Sequence, residues 1–194
     1  MDVSGMLEGK VVAVTGAGRG IGREIALLCA AEGASVVVND PGVGGGGEGG
    51  DAGPAQETVD DIVAAGGKGH ANLASVADPA GAASIVEDAV SKFGRIDAVV
   101  NNAGILRDTI WHKMSHEDWR AVLDVHLNGC FNVSKAATPY FREQESGSFV
   151  HFNFAIARIT STRTKVSSRS LACNRPFLTS SSSQWEMTRT ACFG

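Results

Sequence analysis

The sequence predicts an α/β protein, a doubly wound parallel sheet with helices on both faces, and three observations carry that expectation. Short apolar, β-rich runs alternate with segments of helical period along the first 152 residues. One of these runs, Val36-Val37-Val38, is apolar without alternation, as a strand covered on both faces should be. Three glycines, Gly16, Gly18 and Gly20, stand where the first strand turns into the first helix.

Val11 to Thr15 reads as the first strand. Gly22 to Glu32 follows as a helix, with Ile25, Leu28 and Cys29 at helical spacing and Gly33 as the stop. Ser35 to Asn39 is the second strand, with Asp40 at its C-terminal end. Pro54 to Ala65 predicts a helix closed by Gly66-Gly67, His70 to Leu73 a third strand, and Pro79 to Phe93 another helix. Ala98 to Asn101 is the fourth strand. Ser115 with Asp118 three residues on resembles a capping box for a helix running to about Phe131, and Phe149 to Phe152 is the fifth strand. Eight of the twelve residues from Gly42 to Gly53 are glycine, which predicts a mobile loop: a flap near one end of a bound cofactor, or a tolerated insertion.

Length and charge narrow the function classes. The 194 residues fit one domain, and a net charge of -4 gives no broad electrostatic footprint for nucleic acid. No apolar run approaches the roughly 18 residues a membrane span needs. The start, Met1 to Gly5, has no basic and apolar leader, so a cytoplasmic location is the default expectation, with a peroxisomal one open. Cys29, Cys130, Cys173 and Cys192 form no CxxC pair, and no metal site is expected. His112 and His116 have helical spacing but lack HExxH and a third ligand.

The average charge hides a break. Residues 1–152 hold 11 Lys+Arg against 20 Asp+Glu, whereas residues 153–194 hold 6 against 1. Of the 24 glycines, only Gly194 lies after position 152, while Ser and Thr make up 14 of the last 42 residues. Two units are therefore expected: a folded part, 1–152, and a Ser/Thr/Arg-rich tail, 153–194, foreign to the fold and consistent with a reading-frame change, an alternative exon or an assembly error in the gene sequence.

The chemistry-bearing segment is Thr15-Gly16-Ala17-Gly18-Arg19-Gly20-Ile21-Gly22, which fits TGxxxGxG through Thr15, Gly16, Gly20 and Gly22. Glycines without Cβ atoms let the backbone approach phosphates, and the unpaired N–H groups of the following helix favour their charge. No Lys-Ser or Lys-Thr follows as a Walker loop requires, so the phosphate expected is that of a dinucleotide. Asp40, roughly 20 residues on, suits both adenosine ribose hydroxyls and would repel a 2′-phosphate, which argues for NAD over NADP. Arg19 could offset part of that repulsion, and the alternative meaning of Asp40 is a strand-end cap. Asn101-Asn102-Ala103-Gly104, directly after the fourth strand, is small enough for close approach to a cofactor; alone it would be an ordinary turn.

In order and spacing, TGAGRGIG, Asp40, NNAG and Asp124-Val125-His126-Leu127-Asn128-Gly129 resemble the classical short-chain dehydrogenase/reductase family, from about Leu7 to Phe152. Val38-Asn39-Asp40 before a glycine-rich insertion, Ser75-Val76, the run Asn101 to Asp108, and Val125-His126-Leu127 look most like the hydroxyacyl-CoA dehydrogenase module of peroxisomal multifunctional enzymes. The resemblance implies a Rossmann sheet of order 3-2-1-4-5, truncated after the fifth strand, whose outer edge is left unpaired. It also implies contacts of Ile21 and Asp40 with NAD, Ser75 and Val76 near the adenine, and Asn102 on the nicotinamide side. Many members have Asn where His126 stands, and the subgroup carries His.

The same resemblance implies a missing part. Hydride transfer in the family uses a tyrosine as acid/base beside a lysine one helical turn later, because a phenol of pKa near 10 is a poor base until a cation stabilises its phenolate. Here Gln144 stands four residues after the lone tyrosine, Tyr140. Family spacing puts Phe154 near the serine position, Ser167 near the tyrosine and Leu171 near the lysine, so no catalytic residue is assigned. Ser161 with Lys165 has the spacing of a serine nucleophile and a lysine base, but a Ser/Thr/Arg-rich tract produces such pairs by chance; its basic residues could bind a polyanion and read instead as solvated. The expectation is an oxidoreductase by descent, acting in complete form on a small-molecule secondary alcohol or ketone such as a 3-hydroxyacyl thioester, and inactive as written. The alternative is a non-catalytic dinucleotide-binding fragment. The family's homo-oligomer is in doubt here, since the missing tyrosine helix usually builds its interface.

Overall fold

In the computed structural model, residues 5–44 and 53–152 are described. Their elements are β1 (Val11–Thr15), α1 (Gly20–Ala31), β2 (Ser35–Asn39), α2 (Gly53–Ala64), β3 (Lys68–Asn72), α3 (Pro79–Phe93), β4 (Ala98–Asn101), α4 (His116–Leu123), α5 (Gly129–Glu143) and β5 (Ser148–His151). The five strands form one parallel sheet of order β3-β2-β1-β4-β5. No helix among the described residues is long and apolar enough to cross a membrane.

The unbroken apolar strands are explained by two cores, one on each face. Val11, Ala13, Val37 and Val99 pack with Ile85, Val86 and Ala89 of α3 and Val133, Ala137 and Phe141 of α5. Val12, Val14, Val36, Val38 and Val100 pack with Ala26 of α1 and Ala55, Val59 and Ile62 of α2. Successive residues of a strand point to opposite faces, so a strand sandwiched between helix layers needs an apolar residue at every position. Each fully buried Val or Ile contributes about 1.5–3 kcal/mol.

Boundaries differ from expectation where tertiary pairing overrides composition. β3 starts at Lys68 rather than His70, because pairing with β2 carries Ser35 opposite Lys68 although Lys68 and Gly69 are not apolar. α1 begins at Gly20, two residues before the apolar period shows. The Ser115 cap is present, its Oγ accepting the Asp118 N–H at 3.0 Å. The helix it opens does not stop near Phe131, however. A π-helical turn, Asp124–Asn128, interrupts it, and α5 then runs on to Glu143. The buried positions of α5 are Gly129, Val133, Ala137 and Phe141, one per turn and mostly small, with Pro139 inside the helix. That stripe is too thin to register as an amphipathic period.

Among the described residues β5 is an outermost strand of the sheet, and all four of its residues are exposed. Phe149 and Val150 keep 38% and 45% of their surface open, and such an edge is a template for association.

Asp97, just before β4, ties the entry of β1 to the entry of β4. It accepts the Val11 N–H at 3.0 Å, Arg95 Nε at 2.8 Å and Nη2 at 2.6 Å, and Lys10 Nζ at 3.4 Å. Burial by itself pushes its pKa up, but the Arg95 hydrogen bond, the Val11 N–H and the charges of Arg95 and Lys10 outweigh that and hold it below the ordinary carboxylate range. A folded pKa below the unfolded one stabilises the protein above the unfolded value, about 3.9, and this stability is lost as pH falls through the folded value. Asp97→Asn is expected to cost about 1.5–3 kcal/mol near neutral pH, and chemical denaturation at several pH values should show a weaker acid dependence than wild type.

Candidate functional site

Parallel strands deliver their C-terminal ends to one edge of the sheet, and the loops leaving β1, β2, β3 and β4 meet there around a cavity of about 670 Å³. Gly16, Arg19, Ile21 and Gly22 line it from the β1–α1 turn, Asn39, Asp40, Pro41, Val43 and Gly44 from the end of β2, and Ser75, Val76 and Ala77 from beyond β3. Asn102 to Arg107 close it after β4, and Ala121 with Asp124, Val125 and His126 supply the wall from α4 and the π-helical turn.

Thus the structure brings ten of the sequence-derived residues to one wall: Gly16, Arg19, Ile21, Gly22, Asp40, Ser75, Val76, Asn102, Ala103 and Gly104. Thr15, Gly18, Gly20 and Asn101 stand behind it. Thr15 Oγ1 accepts the N–H groups of Asn102 and Ala103, both at 3.0 Å, and so docks the β4 loop onto the β1 turn. Gly18 N–H donates to Asp40 Oδ2 at 2.9 Å, and the second carboxylate oxygen accepts Gly42 N–H at 2.8 Å. Gly20 opens α1 at a φ of 55°. Asn101 turns away, its Nδ2 lying 3.2 Å from both Ser134 Oγ and His151 Nδ1.

The glycine spacing has steric causes. A Cβ on Gly22 would run into the carbonyl of Gly16 and the amide of Asn102, and one on Gly16, whose φ is 64°, would come within 2.8 Å of Ala103 Cα. Gly104 lies against the His126 ring, where a Cβ would meet Cε1 at 2.6 Å. That histidine holds the wall in place: its Nε2 lies 3.1 Å from Ile105 N and 2.9 Å from Ile105 O.

Two features of this wall stand out. α3 and α4 are capped by Asp78 and Ser115, whereas α1, whose first residues border the cavity, starts at Arg19 with no side-chain cap and no acidic residue in its first turn. Its N-terminal N–H groups and dipole can take an anion. Asn102 Nδ2 donates to the carbonyls of Thr15 and Gly16, both at 3.0 Å, which fixes the amide and leaves its buried Oδ1 without a partner.

Tyr140 is remote from this wall. It is half-buried on α5 against the core, and Gln144, four residues on, donates from Nε2 to Ile96 O at 2.7 Å, at the end of the sheet opposite the cavity. Phe154, Ser167, Leu171, Ser161 and Lys165, with the rest of 153–194 and the glycine-rich stretch 45–52, lie outside the described residues. His112 and His116 are exposed, and no group of three metal-binding side chains occurs among the described residues. Cys29 and Cys130 are free, half-buried thiols whose pKa values burial pushes up.

Sequence reasoning left Asn39, Arg107, Val125 and His126 off the wall. A readable signal existed for Asn39, a polar residue closing an apolar strand; the π-helical turn that carries Val125 and His126 inward has no such signature.

An uncapped helix after a glycine turn at the C-terminal edge of a parallel sheet defines a nucleotide-binding α/β protein. The family model for short chain dehydrogenases matches residues 10–170, running past Phe152, where the motif-level resemblance ends. A protein named as a short-chain type dehydrogenase/reductase in Mycobacterium tuberculosis is 52% identical over 144 residues, 74% of this chain and 50% of that protein. The peroxisomal multifunctional enzyme type 2 of Drosophila melanogaster is 48% identical over 143 residues, 74% of this chain and 23% of the enzyme. A crystal structure of a short chain dehydrogenase from Mycobacterium avium superposes with a TM-score of 0.69 at 46% identity, covering 76% of this chain and 55% of that one. The chain belongs to the short-chain dehydrogenase family of oxidoreductases, and it spans half or less of the two relatives' own lengths.

Proposed function

We propose that residues 1–152 form the dinucleotide-binding lobe of an NAD-dependent dehydrogenase whose complete form acts on a secondary alcohol or ketone such as a 3-hydroxyacyl thioester, and that this chain turns over negligibly. The observation that carries the reading is the convergence of the uncapped α1 N-terminus, the Gly16–Gly22 cradle and the Asp40 carboxylate on one cavity. The α1 N–H groups would hold the pyrophosphate, and Asp40 would exchange the Gly18 and Gly42 N–H groups for ribose hydroxyls. Asn102, its amide held by the Thr15 and Gly16 carbonyls, would line the nicotinamide half. When bound, the nicotinamide supplies a hydride acceptor. Asp40 favours NAD because a 2′-phosphate beside it would be repelled.

The thioester class follows from the likeness to peroxisomal multifunctional enzymes. Negligible turnover follows from the missing Tyr-x-x-x-Lys: although the family model extends to residue 170, no tyrosine follows Tyr140 in the sequence. The second reading, a non-catalytic dinucleotide-binding fragment, is favoured by a cavity whose phosphate end is complete while Tyr140 stands at the opposite end of the sheet. Incubating the chain with NAD and a 3-hydroxyacyl-CoA and following NADH absorbance tests turnover. The expected rate equals the protein-free background; sustained NADH production would overturn the claim of inactivity.

A further inference from the structure

Two hydrogen bonds fix which way β5 presents its backbone. Ser148 N–H donates to Asp97 O at 3.0 Å, and Phe152 N–H donates to Asn101 O at 2.9 Å. Alternate residues of a parallel strand turn their N–H and C=O groups to opposite sides, so Ser148, Val150 and Phe152 face β4. Phe149 and His151 therefore turn both backbone groups to the outer edge, where no other strand among the described residues pairs with them. The edge carries none of the usual deterrents to pairing: Ser148–His151 holds no Lys, Arg, Asp, Glu or Pro. On one face the Phe149 and His151 rings stack, their centroids 6.0 Å apart and their planes 21° from parallel. On the other face Val150 is half exposed.

We propose that this edge pairs with β5 of a second copy of the chain, antiparallel and about a two-fold axis at Val150, joining two five-stranded sheets into one. An isologous contact requires a surface that matches itself after half a turn. The outward groups meet that requirement, because Phe149 and His151 lie one residue either side of Val150. Phe149 then stands opposite His151 of the partner subunit, and His151 opposite the partner's Phe149. Each such pair exchanges two N–H···O=C bonds, so the contact satisfies every outward backbone group of both residues. The two copies of Val150 face each other as the pair without hydrogen bonds. Directly opposite residues share a face, so the Phe and His rings of both copies come together as cross-strand aromatic pairs. With no acidic or basic anchor on either strand, no like charges are brought face to face.

Sedimentation equilibrium of the 194-residue chain, with and without His151→Pro, tests this. The wild-type chain is expected to associate reversibly into a species of twice the chain mass. Proline at position 151 removes an outward N–H but no bond to β4, and its ring crowds the facing strand, so association should weaken on the order of 100-fold. His151→Ala keeps that N–H and should alter association by less than about threefold, which separates backbone pairing from loss of the side-chain contact with Asn101. A thermal melt checks that each variant folds. Val150→Cys reads the register without a proline: two such cysteines would face each other with Cα atoms about 4.5 Å apart and should form a disulfide-linked dimer on oxidation, lost on reduction. In Ser148→Cys the two thiols would stand about four residues apart along the strands, roughly 13 Å, and cross-linking should not exceed that of the wild-type chain. If His151→Pro does not fold, the two cysteine variants decide. A monomeric wild-type chain, including one whose own residues 153–194 cover the edge, would overturn the pairing. So would association untouched by a folded His151→Pro, or equal cross-linking in the two cysteine variants.

Discussion

Replacing Gly22 with alanine is expected to lower the affinity for NADH on the order of 100-fold, equivalent to about 2.7 kcal/mol. The new methyl has no place to go, because the obstacles are the backbone carbonyl of Gly16 and an Asn102 amide already held by two hydrogen bonds. Relief requires moving α1 away from the β1 turn, which also moves the N–H groups that face the cavity. Gly66→Ala, beyond the end of α2 and not among the residues lining the cavity, is the control: its Cβ meets nothing within 4 Å, and the expected cost is only the strain of a φ of 85°, about 1 kcal/mol. Fluorescence titration of both variants with NADH checks the contrast. Similar losses in the two would show that close packing at Gly22 is not what shapes the site.

Changing Asp40 to asparagine is expected to raise the NADPH-to-NADH affinity ratio on the order of 100-fold. Unit charges about 4 Å apart at an effective dielectric near 20 interact by about 4 kcal/mol, and Arg19, which lines the same cavity, offsets part of it. Asparagine keeps one acceptor for the Gly18 or Gly42 N–H, so the turn itself should persist. Competitive titration with the two reduced dinucleotides, at two salt concentrations, reads the ratio. An unchanged ratio would remove Asp40 as the source of selectivity.

How far the sequence could be read depended on where each signal is written. The strands were legible because both cores draw on every position of Val36-Val37-Val38 and Val11 to Val14. The glycine turn was legible because its steric constraints admit only glycine, although the atoms that impose them include Asn102 and Ala103 from far along the chain. Lys68 and Gly69 were not legible as strand, since their place is set by pairing with Ser35 and Val36 rather than by their own side chains. The far half of α5 was hidden by its thin stripe and by Pro139. In the site, Asp40 and Asn102 followed from spacing, but Asn101, the same residue type next in line, serves the sheet through Ser134 and His151. Alternation along β4 and its exit, not composition, separates the two asparagines. His126 reaches the wall only because a π-helical turn rotates it there.

Calorimetric titration of the 194-residue chain with NADH tests the central claim most directly. One saturable site per chain, lost in Gly22→Ala and retained in Gly66→Ala, is the result expected of a cavity built to hold a dinucleotide. Heats no greater than dilution in the folded wild-type protein would contradict it.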